Sequence, residues 1–104
     1  MSDEPANDME MFFFARFDAR PGAEQAIAEA LRDVLAPSRQ EPGGLSIHAF
    51  RSIHDPRLFS IHSRWKDEAA FDVHAGLAHR VHFIERVEPL IDHSLELTRA
   101  EKIG

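Results

Sequence analysis

The chain has 104 residues, 43% of them hydrophobic and eight of them phenylalanine, and carries a formal charge of −6 with histidine neutral. That is enough apolar mass for one packed core, with no room for a second. The absence of cysteine excludes disulfides, thiolate nucleophiles and cysteine-based zinc sites, and the acidic balance without any basic run speaks against nucleic acid as a partner.

The opening segment, residues 1–10, is polar, acidic and aperiodic, and reads as a mobile tail ahead of a single domain over residues 11–104. It lacks the positive start and apolar stretch of a secretory signal. No apolar run approaches the roughly 20 residues that cross a bilayer, so no membrane partner and a cytoplasmic location are expected.

Met11–Ala19 begins abruptly as an aromatic strand, with Phe12 and Phe14 pointing one way and Phe13, Ala15 and Phe17 the other. Arg20-Pro21-Gly22 closes it. From Ala23 to Ala36, Ile27, Ala30, Leu31, Val34 and Leu35 form one helical stripe, which Pro37 should end or loosen. Glu41-Pro42-Gly43-Gly44 is a turn cluster. Leu45–Ser52 and Leu58–Trp65 then read as a hairpin. Pairing Ala49 with Ile61 puts Leu45, Ile47, Ala49, Phe59, Ile61 and Trp65 on one face. The same register sends Ser46, His48, Phe50, Ser60, His62 and Arg64 to the other.

Asp67 is placed to cap a helix through Phe71 and His74, which Gly76 breaks. Leu77, Val81, Ile84 and Val87 mark a further helical stretch that stops before Pro89. Leu95 and Leu97 alternate with polar neighbours in a last strand over His93–Arg99. The order β-α-β-β-α-β, with right-handed crossovers, predicts an α+β ferredoxin-like fold: an antiparallel four-stranded sheet with helices on one face. The first strand's second apolar face, with Phe50, is then uncovered, and a homodimer through the sheet faces would cover it.

The segment Arg39-Gln40-Glu41-Pro42-Gly43-Gly44-Leu45 resembles the R-x-E-P-G-x-L signature of antibiotic-biosynthesis monooxygenase domains. Trp65-Lys66-Asp67, Phe71-x-x-His74 with His79 behind it, and the Asp55-Pro56 turn resemble the same family, and the resemblance covers roughly Met11 to Arg99. The resemblance implies a dimeric α+β barrel with a pocket between each subunit's sheet and helices. It implies oxidation of a small electron-rich aromatic, quinol- or anthrone-like, by O₂ with no bound cofactor. Other branches degrade haem or isomerise a metabolite without oxygen, so fold alone does not select the reaction.

Within that frame Trp65 is a core aromatic, a pocket wall that stacks on a flat substrate, or both; in some relatives a Trp at this position takes part in catalysis. His74, on the face of Phe71, is a core histidine or a general base near neutral pH. Arg64 is a candidate to hold a substrate oxygen. His48 and His62, opposed across the hairpin, form either a polar interface cluster satisfied by Glu96 or a site for an anionic oxygen. His79 is a further candidate at the substrate. With His82 it has an i, i+3 spacing that two metal-bound imidazoles can use, but no nearby residue completes a known metal motif, and no metal is expected. Tyrosine is absent and Asn7 is the sole asparagine, so the Asn-Trp-His set of the haem-degrading branch is incomplete. The leading expectation is a cofactor-independent monooxygenase with His74 and Trp65 at its centre. The alternatives are an isomerase that shuttles protons through its histidines, and a dimeric binding module with a filled core.

Overall fold

The computed structural model of the chain describes residues 10–104; the tail expected over residues 1–10 lies outside it except for Glu10. Strand β1 (Met11–Asp18) alternates as its sequence requires, burying Met11, Phe13, Ala15 and Phe17 and leaving Phe14 exposed. Gly22, at φ 90, turns the chain into helix α1 (Glu24–Arg39), using a backbone region that side chains disfavour. The helix runs through Pro37 to Arg39 instead of stopping at Ala36. Proline removes one hydrogen bond to the preceding turn, and here the chain continues helically for two residues beyond it.

Strands β2 (Gly44–Arg51) and β3 (Leu58–Trp65) form the hairpin in the expected register, with Ala49 opposite Ile61 and His48 opposite His62. Leu45 departs from it. The pairing jumps from Gly44–Trp65 to Ser46–Arg64, so Leu45 is the extra residue of a bulge and is 42% exposed instead of inward.

Helices α2 (Glu68–Gly76) and α3 (Ala78–Val87) make the second crossover, and a 3₁₀ turn over Glu88–Leu90 carries Pro89. The Asp67 carboxylate accepts from the Ala70 N–H at 2.8 Å and caps α2. Leu77 is extended between α2 and α3, breaking the helix directly after Gly76. Strand β4 is shorter than expected, Glu96–Ala100, because His93 is drawn to Asp18 at 3.0 Å and the stretch before Glu96 wraps the end of β1.

The sheet order is β2-β3-β1-β4, antiparallel throughout, which is the ferredoxin-like arrangement. One face packs on the helices. Phe17, Phe59, Ile27, Leu31, Phe83 and Val87 fill one end of this layer, and Met11, Phe13, Ile47, Trp65 and Phe71 the other. On the open face His62 sits between Phe14 and Phe50, at 5.1 Å from each ring. Among the described residues no helix is long and apolar enough to cross a membrane.

Candidate active site

Three elements meet at the Trp65 end of the core: the turn after α1, the end of β3, and the α2–α3 junction. The turn is pinned to β3 by Lys66 N–H donating to Gly43 C=O at 2.9 Å. Gly43 also lets α2 press onto the turn, since a Cβ at that position would stand 2.5 Å from the Ala70 Cβ. A side chain there would push α2 away. This close approach brings the Glu41 carboxylate to both histidines of the α2–α3 junction.

One carboxylate oxygen, Glu41 Oε2, lies 2.7 Å from His74 Nδ1 and 2.7 Å from His79 Nε2. Both side chains of the Glu41–His74 pair are only 10% exposed, and that of His79 is 25% exposed. Burial holds the His74 pKa below the ordinary 6.5; the Glu41 hydrogen bond and charge oppose that shift, while Arg80 and His79 add to it. At neutral pH the pair is therefore a neutral imidazole donating Nδ1–H to a carboxylate. That tautomer leaves a lone pair on His74 Nε2, which makes no hydrogen bond among the described residues.

Trp65 lies beside this imidazole, tilted 37° to it with ring centroids 4.5 Å apart, and Phe71 packs against both, 5.5 Å from the imidazole and 5.6 Å from the indole. The indole N–H is already used: it donates to Ser63 Oγ at 3.0 Å. Trp65 thus offers an apolar face and not a donor. Trp65 and His74 line a cavity between sheet and helices, together with Arg80, Leu97 and the apolar core, of about 40 Å³. Such a space holds a water molecule or two, whereas benzene needs a cavity of roughly 150 Å³. A flat aromatic therefore enters only if the walls yield. Leu97, half-exposed on the edge strand, is the most exposed of the lining side chains.

The other expected residues lie elsewhere. His48, His62 and Arg64 are on the open face of the sheet, beneath Phe14 and Phe50, on the far side from the cavity. Arg64 approaches Glu10 at 3.2 Å, too misaligned for its Nε to form a hydrogen bond. Glu96 faces Arg16 across β1 and β4, and among the described residues no hydrogen bond joins it to the two histidines. Larger hollows, about 450 and 940 Å³, also open on that face and involve neither Trp65 nor His74. His82 is exposed and apart from His79's partners.

Glu41 is a site residue that neither periodicity nor spacing marks in the sequence. Its one signal was its place in the R-x-E-P-G-x-L signature. Glu41, His74 and His79 present an oxygen and two nitrogens within 4.8 Å of one another, a donor set suited to a divalent transition metal. Their 2.7 Å contacts are those of charge-assisted hydrogen bonds. Ligands about 2.0–2.2 Å from a tetrahedral metal stand further apart than that. As arranged, the carboxylate holds imidazoles.

Comparison with known proteins converges on one family. Residues 11–86 match the model of the antibiotic biosynthesis monooxygenase family. The chain is 30% identical over 78 residues to a Bacillus subtilis (strain 168) protein named "Putative monooxygenase YcnE", covering 75% of this chain and 81% of that one. Among solved structures it is similar to PA3566 from Pseudomonas aeruginosa, with 28% identity, a TM-score of 0.85 and coverage of 92% and 96% of the two chains. It shares its fold with Rv0793 from Mycobacterium tuberculosis, at 24% identity, a TM-score of 0.86 and coverage of 91% and 96%. The chain belongs to the antibiotic biosynthesis monooxygenase family.

Proposed function

We propose that the protein oxidises a small electron-rich hydroxyaromatic, quinol- or anthrone-like, with O₂ and without a bound cofactor. Family membership and the relation to YcnE support a monooxygenase-like role. The observation that carries the finer reading is the buried Glu41–His74 pair set against the Trp65 face. His74 Nε2 takes a phenolic or benzylic proton, and Glu41 fixes the tautomer and offsets the imidazolium that forms. The carbanion or phenolate left behind is the electron donor to O₂. One oxygen atom enters the substrate carbon and the other leaves as water, with the substrate supplying the reducing electrons. The apolar walls keep water from the anion.

The test is oxygen consumption by chelator-treated protein over a panel of hydroquinones and anthrones. Uptake above autoxidation, unchanged by the chelator, is the expected result. Rates equal to buffer for every compound, or uptake restored only by added metal, would overturn the proposal. The active form has a neutral His74, whose pKa lies below 6.5. The midpoint of the acid limb of its kcat/KM should thus lie below 6.5; a midpoint above 6.5 would contradict a neutral buried base.

The 40 Å³ volume favours a second reading, a binding module whose core is simply filled. It predicts no uptake and no quenching of Trp65, the sole tryptophan, by any aromatic on the panel. Either reading is paired here with a homodimer through the open sheet face, where Phe14 and Phe50 are 38% and 49% exposed. Light scattering should give a dimer mass for the wild type and a monomer mass for Phe50→Arg. A monomeric wild type at tens of micromolar would remove the dimer.

A further inference from the structure

Arg80 stands apart from the other half-buried arginines. Arg57 is paired with Asp92, Arg86 with Asp33 and Arg64 with Glu10, whereas Arg80 has no carboxylate partner among the described residues. It sits in the first turn of α3, where there is no acidic side chain and no side-chain cap to offset the positive helix end. Glu41, the acid on the facing turn, holds His74 and His79 through one oxygen, Oε2, and no ion pair joins it to Arg80 among the described residues. Yet Arg80 lines the same cavity as Trp65 and His74, and the charge on its guanidinium is felt by the His74 imidazole. A partly desolvated guanidinium without a counter-ion is costly unless something anionic visits it.

We infer that Arg80 is the oxyanion-binding group of this cavity, selecting aromatic ligands that carry an ionised or ionisable ring oxygen. The inference rests on the reading of the cavity as a ligand site, but not on any reaction with O₂. Its geometry is simple. Trp65 supplies a flat wall, His74 faces the ligand from α2, and Arg80 faces it from α3. A phenolic oxygen between the last two loses its proton toward the imidazole and keeps its charge on the guanidinium. Guanidinium–oxyanion hydrogen bonds favour the ionised ligand over the neutral one by roughly ten- to hundred-fold. A neutral aromatic of the same shape gains nothing from Arg80.

The probe is 4-nitrophenol, whose own absorption reports its ionisation, beside 4-nitroanisole, which has the same ring and no ionisable oxygen. Each is titrated into the intact protein and into Arg80→Gln, with Trp65 quenching as the binding signal. Wild type should bind nitrophenolate and lower the pH at which the bound probe ionises by about one unit or more, the equivalent of a ten-fold preference. His74 also lines the cavity, with Glu41 on its Nδ1 and His79 on the same carboxylate, so the shift is read as the difference between wild type and Arg80→Gln across the same pH series. In Arg80→Gln nitrophenolate should bind ten- to hundred-fold more weakly, with nitroanisole unchanged. Equal loss of both probes would make Arg80 merely structural. Ionisation at the free probe's pH, or no binding of nitrophenol to wild type, would also overturn the assignment. Because binding is read without turnover, an absent oxygen uptake leaves this result standing on its own.

Discussion

His74→Ala is expected to lower substrate-dependent oxygen uptake by roughly 10²- to 10⁴-fold, the range that a positioned general base contributes. The variant removes the only nitrogen among the described residues that is both buried against Trp65 and oriented by a carboxylate. Glu41→Gln tests the orientation itself. The amide keeps the shape but loses the charge, and uptake should fall roughly ten- to hundred-fold, on the scale of one charge-assisted hydrogen bond. The two variants also differ in pH behaviour. Glu41 raises the His74 pKa against the larger effect of burial, so removing its charge lets that pKa fall further. The acid limb of kcat/KM should therefore move to lower pH in Glu41→Gln while the plateau drops. An acid limb that stays in place would detach Glu41 from His74, and a His74→Ala enzyme with wild-type uptake would end the general-base role. Circular dichroism at the working temperature separates these losses from unfolding.

Much of this site follows from periodicity, and the rest depends on contacts that periodicity does not contain. The alternation in Met11–Asp18 declares two apolar faces, and the hairpin's one consistent register places His48 opposite His62, as observed. Phe71 and His74, three apart on a helix, share its buried face for the same reason. Leu45 breaks the pattern because a bulge depends on how the Gly43–Gly44 turn docks, not on the strand's own alternation. Glu41 and His74 are 33 residues apart, and only the approach of α2 to that turn joins them. Arg80, between His79 and His82, has the look of a solvated helix position; its partial burial comes from the packing of α3 beside α1 and α2 over the cavity. Arg64 is different. It is adjacent to Trp65 on a strand, so the two must face opposite ways, and the alternation alone separates it from any pocket that Trp65 lines.

Trp65→Ala is expected to destabilise the fold by about 3–5 kcal/mol, the usual cost of truncating a large buried aromatic. The side chain is 1% exposed and packs on Phe71, His74 and Gly44 at once, so closely that a Cβ at that glycine would stand 3.3 Å from the indole. In a domain of this size that loss lowers the melting temperature by more than about 10 °C. Trp65→Phe retains most of the apolar area but frees Ser63 Oγ from the indole N–H, so a smaller drop is expected, about 1–2 kcal/mol. The comparison decides what Trp65 does for the reaction. Its N–H is committed to Ser63, leaving only the ring face for a substrate, which phenylalanine partly supplies. Trp65→Phe should therefore raise KM several-fold and leave kcat within about three-fold, as expected when ground-state and transition-state binding are weakened alike. A collapse of kcat with unchanged KM and melting temperature would show that the indole acts in the chemical step, and the hydrogen bond to Ser63 would then have to break during turnover.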